Sequence, residues 1–301
     1  MTSDLTPVWF ITGASSGFGK SIALEALSRG HHVIGTARSV SNMSDLAGMG
    51  ATVLALDVSA PEAVISKVID QAVAVHGRLT HVVNAAGYVV EGAVEEVNQA
   101  EATAQFATNV IGAIVVARLT IPHLRAHPEP TSPENTPSLS TFGSLGSWRG
   151  APAVSHYCAT KWAISGLTES LRPELESFGI NVTVIEPGYF RTEFLNTNGG
   201  RRLFSKDRLD HVYKDTAVGQ YRAALNQANN KQPGDVEKGS RVVVDILTGT
   251  GVAKGRKVPV RIVLGNDCVG AIREKMSETE SLLKEWEDVF TSTDHDDVKT
   301  T

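Results

Sequence analysis

The sequence predicts an α/β fold: one doubly wound parallel sheet of about seven strands with helices on both faces. Three observations carry that prediction. Short Val- and Ile-rich runs recur with little alternation of polar and apolar residues, as in strands buried on both faces. Stretches of helical periodicity separate them, so successive strands connect by right-handed crossovers and lie parallel. The first run opens directly onto a glycine-rich turn and a helix.

The strand candidates begin with VWFIT (8–12), HVIGTA (32–37), TVLALD (52–57) and HVVNAA (81–86). Segment 126–137 then holds four prolines in twelve residues and predicts a surface loop. SLSTF (138–142) comes next and is only weakly apolar, the least distinct of the strands. NVTVIE (181–186) and VPVRIVL (258–264) complete the set. Helices are predicted over 20–30, 61–77 and 103–124, each ending near Gly or Pro. Residues 190–235 are polar and lack strand-like runs, which predicts an excursion of short helices and loops, a small helical lid. One domain is expected over 1–270, followed over 271–301 by an amphipathic C-terminal helix and a flexible tail.

A chain of 301 residues with 42% apolar and 20% charged residues can bury a large core without disulfide or metal staples. The net charge of −5 offers no basic excess for a phosphate backbone, which argues against nucleic acid as a partner. Two cysteines, Cys158 and Cys268, form no metal-spaced cluster and no disulfide framework, so a reducing, cytoplasmic compartment is expected. The N-terminus shows no basic segment ahead of a long apolar one, and no apolar run reaches the ~20 residues that span a bilayer. His123 and His127 have the i, i+4 spacing of metal ligands, but no third ligand accompanies them, so no metal is expected. His156 points away from its neighbour Tyr157, and Cys158 is read as a packing residue.

The glycine turn reads ITGASSGFGKSIA, with Gly13, Gly17 and Gly19 spaced G-x-x-x-G-x-G. Glycines there allow a tight turn and let backbone N–H groups approach a pyrophosphate at a helix N-terminus, which makes the sheet Rossmann-type. The second strand ends GTARS, with Arg38 where an acidic residue would hold ribose hydroxyls. A guanidinium matches a 2′-phosphate by bidentate hydrogen bonding, so NADPH is expected over NADH. The alternative is that Arg38 stacks on adenine or faces solvent.

Tyr157 and Lys161 stand four apart in YCATK, one helical turn from each other. Together with the glycine turn, they make the chain resemble the short-chain dehydrogenase/reductase family. Seven motifs stand in family order: TGASSGFG (12–19), LDV (56–58), NAAG (84–87), Asn109 in TNVIG, Ser144 thirteen residues before Tyr157, YCATK (157–161) and PGYFRT (187–192). The GTAR strand end and the tail VPVRIVLGND (258–267) are similar to a subgroup resembling 17β-hydroxysteroid dehydrogenases. Two departures are visible. Ala85 stands where the family usually has a second Asn, and Gly143 stands where many members have a second Ser.

The resemblance implies a cofactor site of Gly13, Ser15, Ser16, Gly17, Phe18, Gly19, Arg38, Asp57, Val58, Asn84, Ala85, Gly87, Tyr157, Lys161, Pro187, Gly188, Phe190 and Thr192. It implies Tyr157, Lys161, Ser144 and Asn109 as the catalytic set, with Asn109 holding a water that links Lys161 to solvent. A free phenol has a pKa near 10 and needs a nearby cation to act as a base close to neutrality, the task expected of Lys161. Ser144 is expected to hold the substrate oxygen. Leu145, Trp148, Tyr88, Tyr189 and Phe194 are expected to wall a pocket for a bulky hydrophobic carbonyl compound. The expected function is reversible NADPH-dependent reduction of a ketone or aldehyde to an alcohol. NAD-dependent alcohol oxidation, a non-redox lyase or epimerase, and non-catalytic dinucleotide binding are the alternatives. An apolar stripe over 163–179 is compatible with a homodimer.

Overall fold

The computed structural model describes residues 6–126, 132–197 and 201–295. Nine strands occur among them: β1 Val8–Thr12, β2 His32–Ala37, β3 Thr52–Ala55, β4 His81–Asn84, β5 Val89–Glu91, β6 Ser138–Phe142, β7 Asn181–Pro187, β8 Arg202–Phe204 and β9 Arg261–Leu264. Seven form one sheet in the order β3-β2-β1-β4-β6-β7-β9, and every pairing is parallel. The chain therefore switches direction across the sheet between β1 and β4. In open parallel sheets, ligands bind at the carboxyl ends of the strands at such a switch.

The absence of alternation in the strand sequences has a direct cause. Trp9 and Ile11 of β1 pack with Ile22, Ala26, Val243 and Leu247 on one face. Val8 and Phe10 pack with Ile65, Ile69, Val116 and Leu124 on the other. Both faces are covered, so both sets of alternate residues are apolar.

β6 shows how a weakly apolar strand takes a central place. Ser138 and Ser140 are fully buried, and their hydroxyls have no hydrogen-bond partner among the described residues. The small side chains let helices Gly112–Arg125 and Ser155–Glu176 close over the strand. Thr141 shares a 2.7 Å hydroxyl–hydroxyl bond with Thr168 of the second helix. The register of β6 with β4 and β7 is continuous, so the proline-rich segment ahead of the strand leaves Ser144 at its end. Part of that segment is tied down: residues Pro133–Asn135 form a 3₁₀ turn, and Glu134 pairs with the buried His31 at 2.9 Å.

The stretch 190–235 departs from expectation. Strand β8, inside the stretch read as helices and loops, pairs in parallel with β5. Buried charges hold this small sheet. Glu91 accepts from Arg202 Nε at 2.6 Å, and Arg222 pairs with Glu96. A three-residue strand built around a buried ion pair has no apolar run to betray it.

Helix Gln99–Arg125 is long and apolar enough to cross a membrane. Here it covers the sheet, with Val116, Ala117, Thr120 and Leu124 buried against it. The C-terminal helix starts earlier than predicted, at Asn266, and runs to Thr291. Past Ala271 it leaves Met276, Leu282, Leu283, Trp286, Val289 and Phe290 exposed.

Candidate active site

A continuous cavity of about 660 Å³ runs along the carboxyl ends of the sheet strands. Every residue expected at the cofactor or substrate lines it, except Asn84, Asn109 and Trp148. Free approach of main chain builds one end. Gly13 has φ +67°, and a Cβ on it would lie 2.8 Å from Ala86 Cα. A Cβ on Gly19 would lie 2.5 Å from the Gly13 carbonyl oxygen. Glycine is the residue that lets the turn fold back onto itself and onto the end of β4. Helix Gly17–Ser28 starts at this turn with no acidic side chain in its first turn, which leaves its N-terminal dipole and N–H groups for an anion.

The other end holds the polar centre. Ser144 follows β6, and its Oγ accepts from Gly146 N–H at 3.1 Å. Its own N–H donates to Ser147 Oγ at 3.2 Å, and that hydroxyl donates to the Lys161 carbonyl at 3.0 Å. The strand end and helix Ser155–Glu176 are thus bolted together beneath the cavity. Tyr157 lies near Ser144, whose hydroxyl favours the ionised phenol. Lys161 is buried, 5.5 Å from the Tyr157 ring centroid, and its ammonium donates to the Phe142 carbonyl at 2.7 Å.

Burial controls the protonation of both groups. It lowers Lys161 from 10.5 to about 8. It raises the Tyr157 phenol above its ordinary range, and the nearby Ser144 opposes it only in part. The expectation that Lys161 would lower the Tyr157 pKa is therefore corrected for this arrangement. The ammonium lies over the ring with the Phe142 carbonyl as its acceptor, and desolvation prevails.

Three of the expected residues lie outside the cavity lining. The Asn84 side chain donates to the Ala113 carbonyl at 3.4 Å from a buried position. Trp148 turns away from the cavity because its indole N–H donates to the buried Glu186 at 2.8 Å and Arg261 stacks on its ring at 4.5 Å. Asn109 sits in a π-helical turn, Ala107–Ile111, that interrupts its helix. Its amide oxygen accepts from Tyr88 N–H at 3.1 Å, and its NH₂ donates to the Tyr88 carbonyl at 2.9 Å and to Thr160 Oγ1 at 3.2 Å. Asn109 thus fixes the segment after Gly87 to the Tyr157 helix.

An aromatic wall faces the polar centre. Phe194 stands 5.7 Å from Tyr157 ring to ring, and the Tyr189 and Tyr221 hydroxyls are 2.9 Å apart. Phe190 packs against Phe18 at 5.0 Å, on the glycine-turn side. Phe204 is exposed beneath two guanidinium groups, and Tyr213 bonds Glu95, so neither reaches the cavity. His123 is half-buried on its helix, and His127 lies outside the described residues.

Sequence reading missed Arg201, Gln232 and Asp267. Arg201 lines the cavity and donates to Ser15 Oγ at 3.0 Å. Gln232 lines it too, with both amide atoms buried and unpartnered among the described residues. Asp267 accepts from Tyr189 N–H at 2.6 Å and so sets the turn after β7. Asp267 ends the tail VPVRIVLGND, whereas Arg201 and Gln232 lie in none of the motifs, and each is brought in by a long-range contact.

The chain matches the family model described as short chain dehydrogenase over residues 7–201. A solved structure of a short-chain dehydrogenase from Streptomyces avermitilis is 33% identical, with a TM-score of 0.83, covering 96% of this chain and 100% of that one. The oxidoreductase BOA17 of Botryotinia fuckeliana (strain B05.10) is 30% identical over 288 residues, 93% of this chain and 98% of the relative. An 11-beta-hydroxysteroid dehydrogenase A of Sesamum indicum is 31% identical over 220 residues, 69% of this chain and 60% of the relative. With the fold, the cavity and these likenesses in agreement, the chain belongs to the short-chain dehydrogenase family and is an NAD(P)-dependent oxidoreductase acting on CH–OH/C=O groups.

Proposed function

We propose that the protein reduces a bulky, apolar ketone or aldehyde to an alcohol with NADPH, and runs the reverse reaction when alcohol is in excess. The observation that carries this reading is the meeting of Ser144, Tyr157 and Lys161 on the same cavity as the glycine turn and Arg38. The residues fit the cofactor. The tight Gly13–Gly19 turn and the bare helix N-terminus suit a pyrophosphate, and Arg38 suits a 2′-phosphate. Lys161 would hold the nicotinamide ribose, and Thr192, beside Gly17, the carboxamide.

When bound, the nicotinamide supplies the hydride. The protein supplies the rest. Ser144 holds the substrate oxygen and donates to it as negative charge grows there. Tyr157 hands its proton to that oxygen, which completes the alcohol. A phenol raised by burial stays protonated at neutral pH, the state needed for reduction. Lys161, near 8, remains mostly an ammonium at pH 7 and stabilises the phenolate left behind.

Leu145, Tyr189, Phe194, Tyr221 and Leu225 offer the substrate a largely apolar wall. The name of the sesame relative, a hydroxysteroid dehydrogenase, supports a substrate of that bulk. A cytoplasmic site of action and a homodimer belong to the same proposal; Trp162 and Ile111, exposed on the two long helices, support the second. The deciding experiment is NADPH consumption against a panel of aromatic and polycyclic ketones. Turnover of at least one bulky ketone above small aliphatic ones is expected. No oxidation of NADPH by any of them, with cofactor still bound, would overturn the reading.

A further inference from the structure

Two arginines face the glycine-turn end of the cavity, and only one of them stands where a motif would put it. Arg38 follows β2 and is exposed. Arg201 comes from the far side, 163 positions later, at the start of β8. Its Nη2 donates to Ser15 Oγ at 3.0 Å, and Arg38 is close enough for its charge to be felt. Among the described residues neither arginine has a carboxylate partner. Elsewhere in this chain half-buried arginines are satisfied within the fold: Arg29 pairs with Glu25 and Asp245, Arg261 with Glu169 and Glu186, and Arg172 donates to the Val182 and Val258 carbonyls. Two like charges drawn together, one half-buried, without a counter-ion among the described residues, make a site for an anion from outside.

The fold holds Arg201 in that attitude. Val89 N–H donates to the Arg201 carbonyl at 2.8 Å, which clamps its main chain to β5. The next residue, Arg202, is buried on Glu91. Successive residues of a strand point to opposite sides, so anchoring Arg202 beneath the small sheet sends Arg201 toward Ser15. The donors are therefore set before any ligand arrives.

We propose that Arg201 joins Arg38 and Ser15 in holding the 2′-phosphate of the cofactor, so that a residue of the lid, and not the end of β2 alone, determines the preference for NADPH. This rests on the NADPH reading above. A phosphomonoester dianion offers three oxygens, enough for two guanidinium forks and one hydroxyl. The same contact ties the 2′-phosphate to β8 and, through β5, to Tyr88 on the substrate side of the cavity.

The test is calorimetric titration of NADP⁺, NAD⁺, 2′,5′-ADP and 5′-AMP into the wild type, Arg201→Met, Arg201→Lys and Arg38→Met. No turnover is needed. Arg201→Met is expected to weaken NADP⁺ and 2′,5′-ADP roughly 10- to 100-fold while NAD⁺ and 5′-AMP change less than about threefold. Arg201→Lys is expected to recover part of the loss. Unchanged NAD⁺ binding shows in the same titration that the variant is folded. If the wild type prefers NADP⁺ and Arg201→Met keeps that preference, the inference fails and the NADPH reading stands. Equal loss of NADP⁺ and NAD⁺ also overturns it, because Arg201 would then serve the pyrophosphate or the lid. A wild type that prefers NAD⁺ overturns the NADPH reading and this inference together.

Discussion

The Lys161 ammonium donates a 2.7 Å hydrogen bond to the carbonyl oxygen of Phe142, the last residue of β6. Lys161 is thereby fixed to the sheet end that delivers Ser144. The contact is made in a buried place, which lowers Lys161 from 10.5 to about 8. Keeping the charge there costs roughly 3 kcal/mol at about 1.4 kcal/mol per unit.

Lys161→Met should therefore stabilise the protein while abolishing turnover. The sign comes from proton binding. Below pH 8 folded and unfolded chains both hold the proton, and the full cost is present. Between about 8 and 10.5 the folded chain loses it first, so this group's penalty falls as pH rises. The variant should gain roughly 1–3 kcal/mol at pH 7 in urea unfolding and much less at pH 10. A loss at pH 7 would mean that the Phe142 bond outweighs burial.

Tyr157→Phe removes the only atom proposed to move a proton and leaves the ring packed against Phe194. kcat should fall at least about a thousandfold, with the NADPH dissociation constant within about threefold of wild type. Stopped-flow turnover and fluorescence titration check the two halves separately. Substantial remaining activity would move the proton donor elsewhere.

Gly143 is a packing requirement rather than a tolerated departure from the family pattern. A Cβ there would meet Glu186 Cγ at 2.8 Å and Ser147 Oγ and Val184 Cγ2 at 2.9 Å. Gly143→Ser should cost about 1–3 kcal/mol of stability and depress kcat by shifting Ser144. Thermal unfolding and steady-state kinetics on the one variant test both effects. An unchanged kcat would show that the turn absorbs the side chain.

Glu91 is fully buried and receives Arg202, Arg208 and Arg222. Glu91→Ala should destabilise by about 3–5 kcal/mol, because it strands the Arg202 guanidinium. Pairing Glu91→Leu with Arg202→Met should recover much of that loss, and a double-mutant cycle in urea measures the coupling. Additive losses would show the pair to be uncoupled.

The central sheet was legible because burial on both faces writes itself as continuous apolar runs, as in Val8–Thr12. β6 was harder, since Ser138 and Ser140 fill their places by being small rather than apolar. β8 was invisible, since its burial depends on Glu91, a residue 111 positions from Arg202. The same division runs through the site. Residues that follow a strand end by a fixed count, such as Gly13, Ser144 and Gly188, line the cavity as their spacing implies. Trp148 was misplaced, because its direction is set by Glu186 and Arg261, which no local spacing reports.

By itself the sequence determined the parallel α/β sheet, the glycine turn, and the spacing of Ser144, Tyr157 and Lys161, because each is written in runs and counts a few residues long. The tertiary structure alone decided how those groups are solvated and what else reaches them. Burial sets the pKa directions of Tyr157 and Lys161, and burial is a sum over distant chain segments. Asn109 became a clamp on Tyr88, and Arg201 arrived beside Ser15, for the same reason: strand pairing and helix packing bring together residues that no spacing along the chain connects.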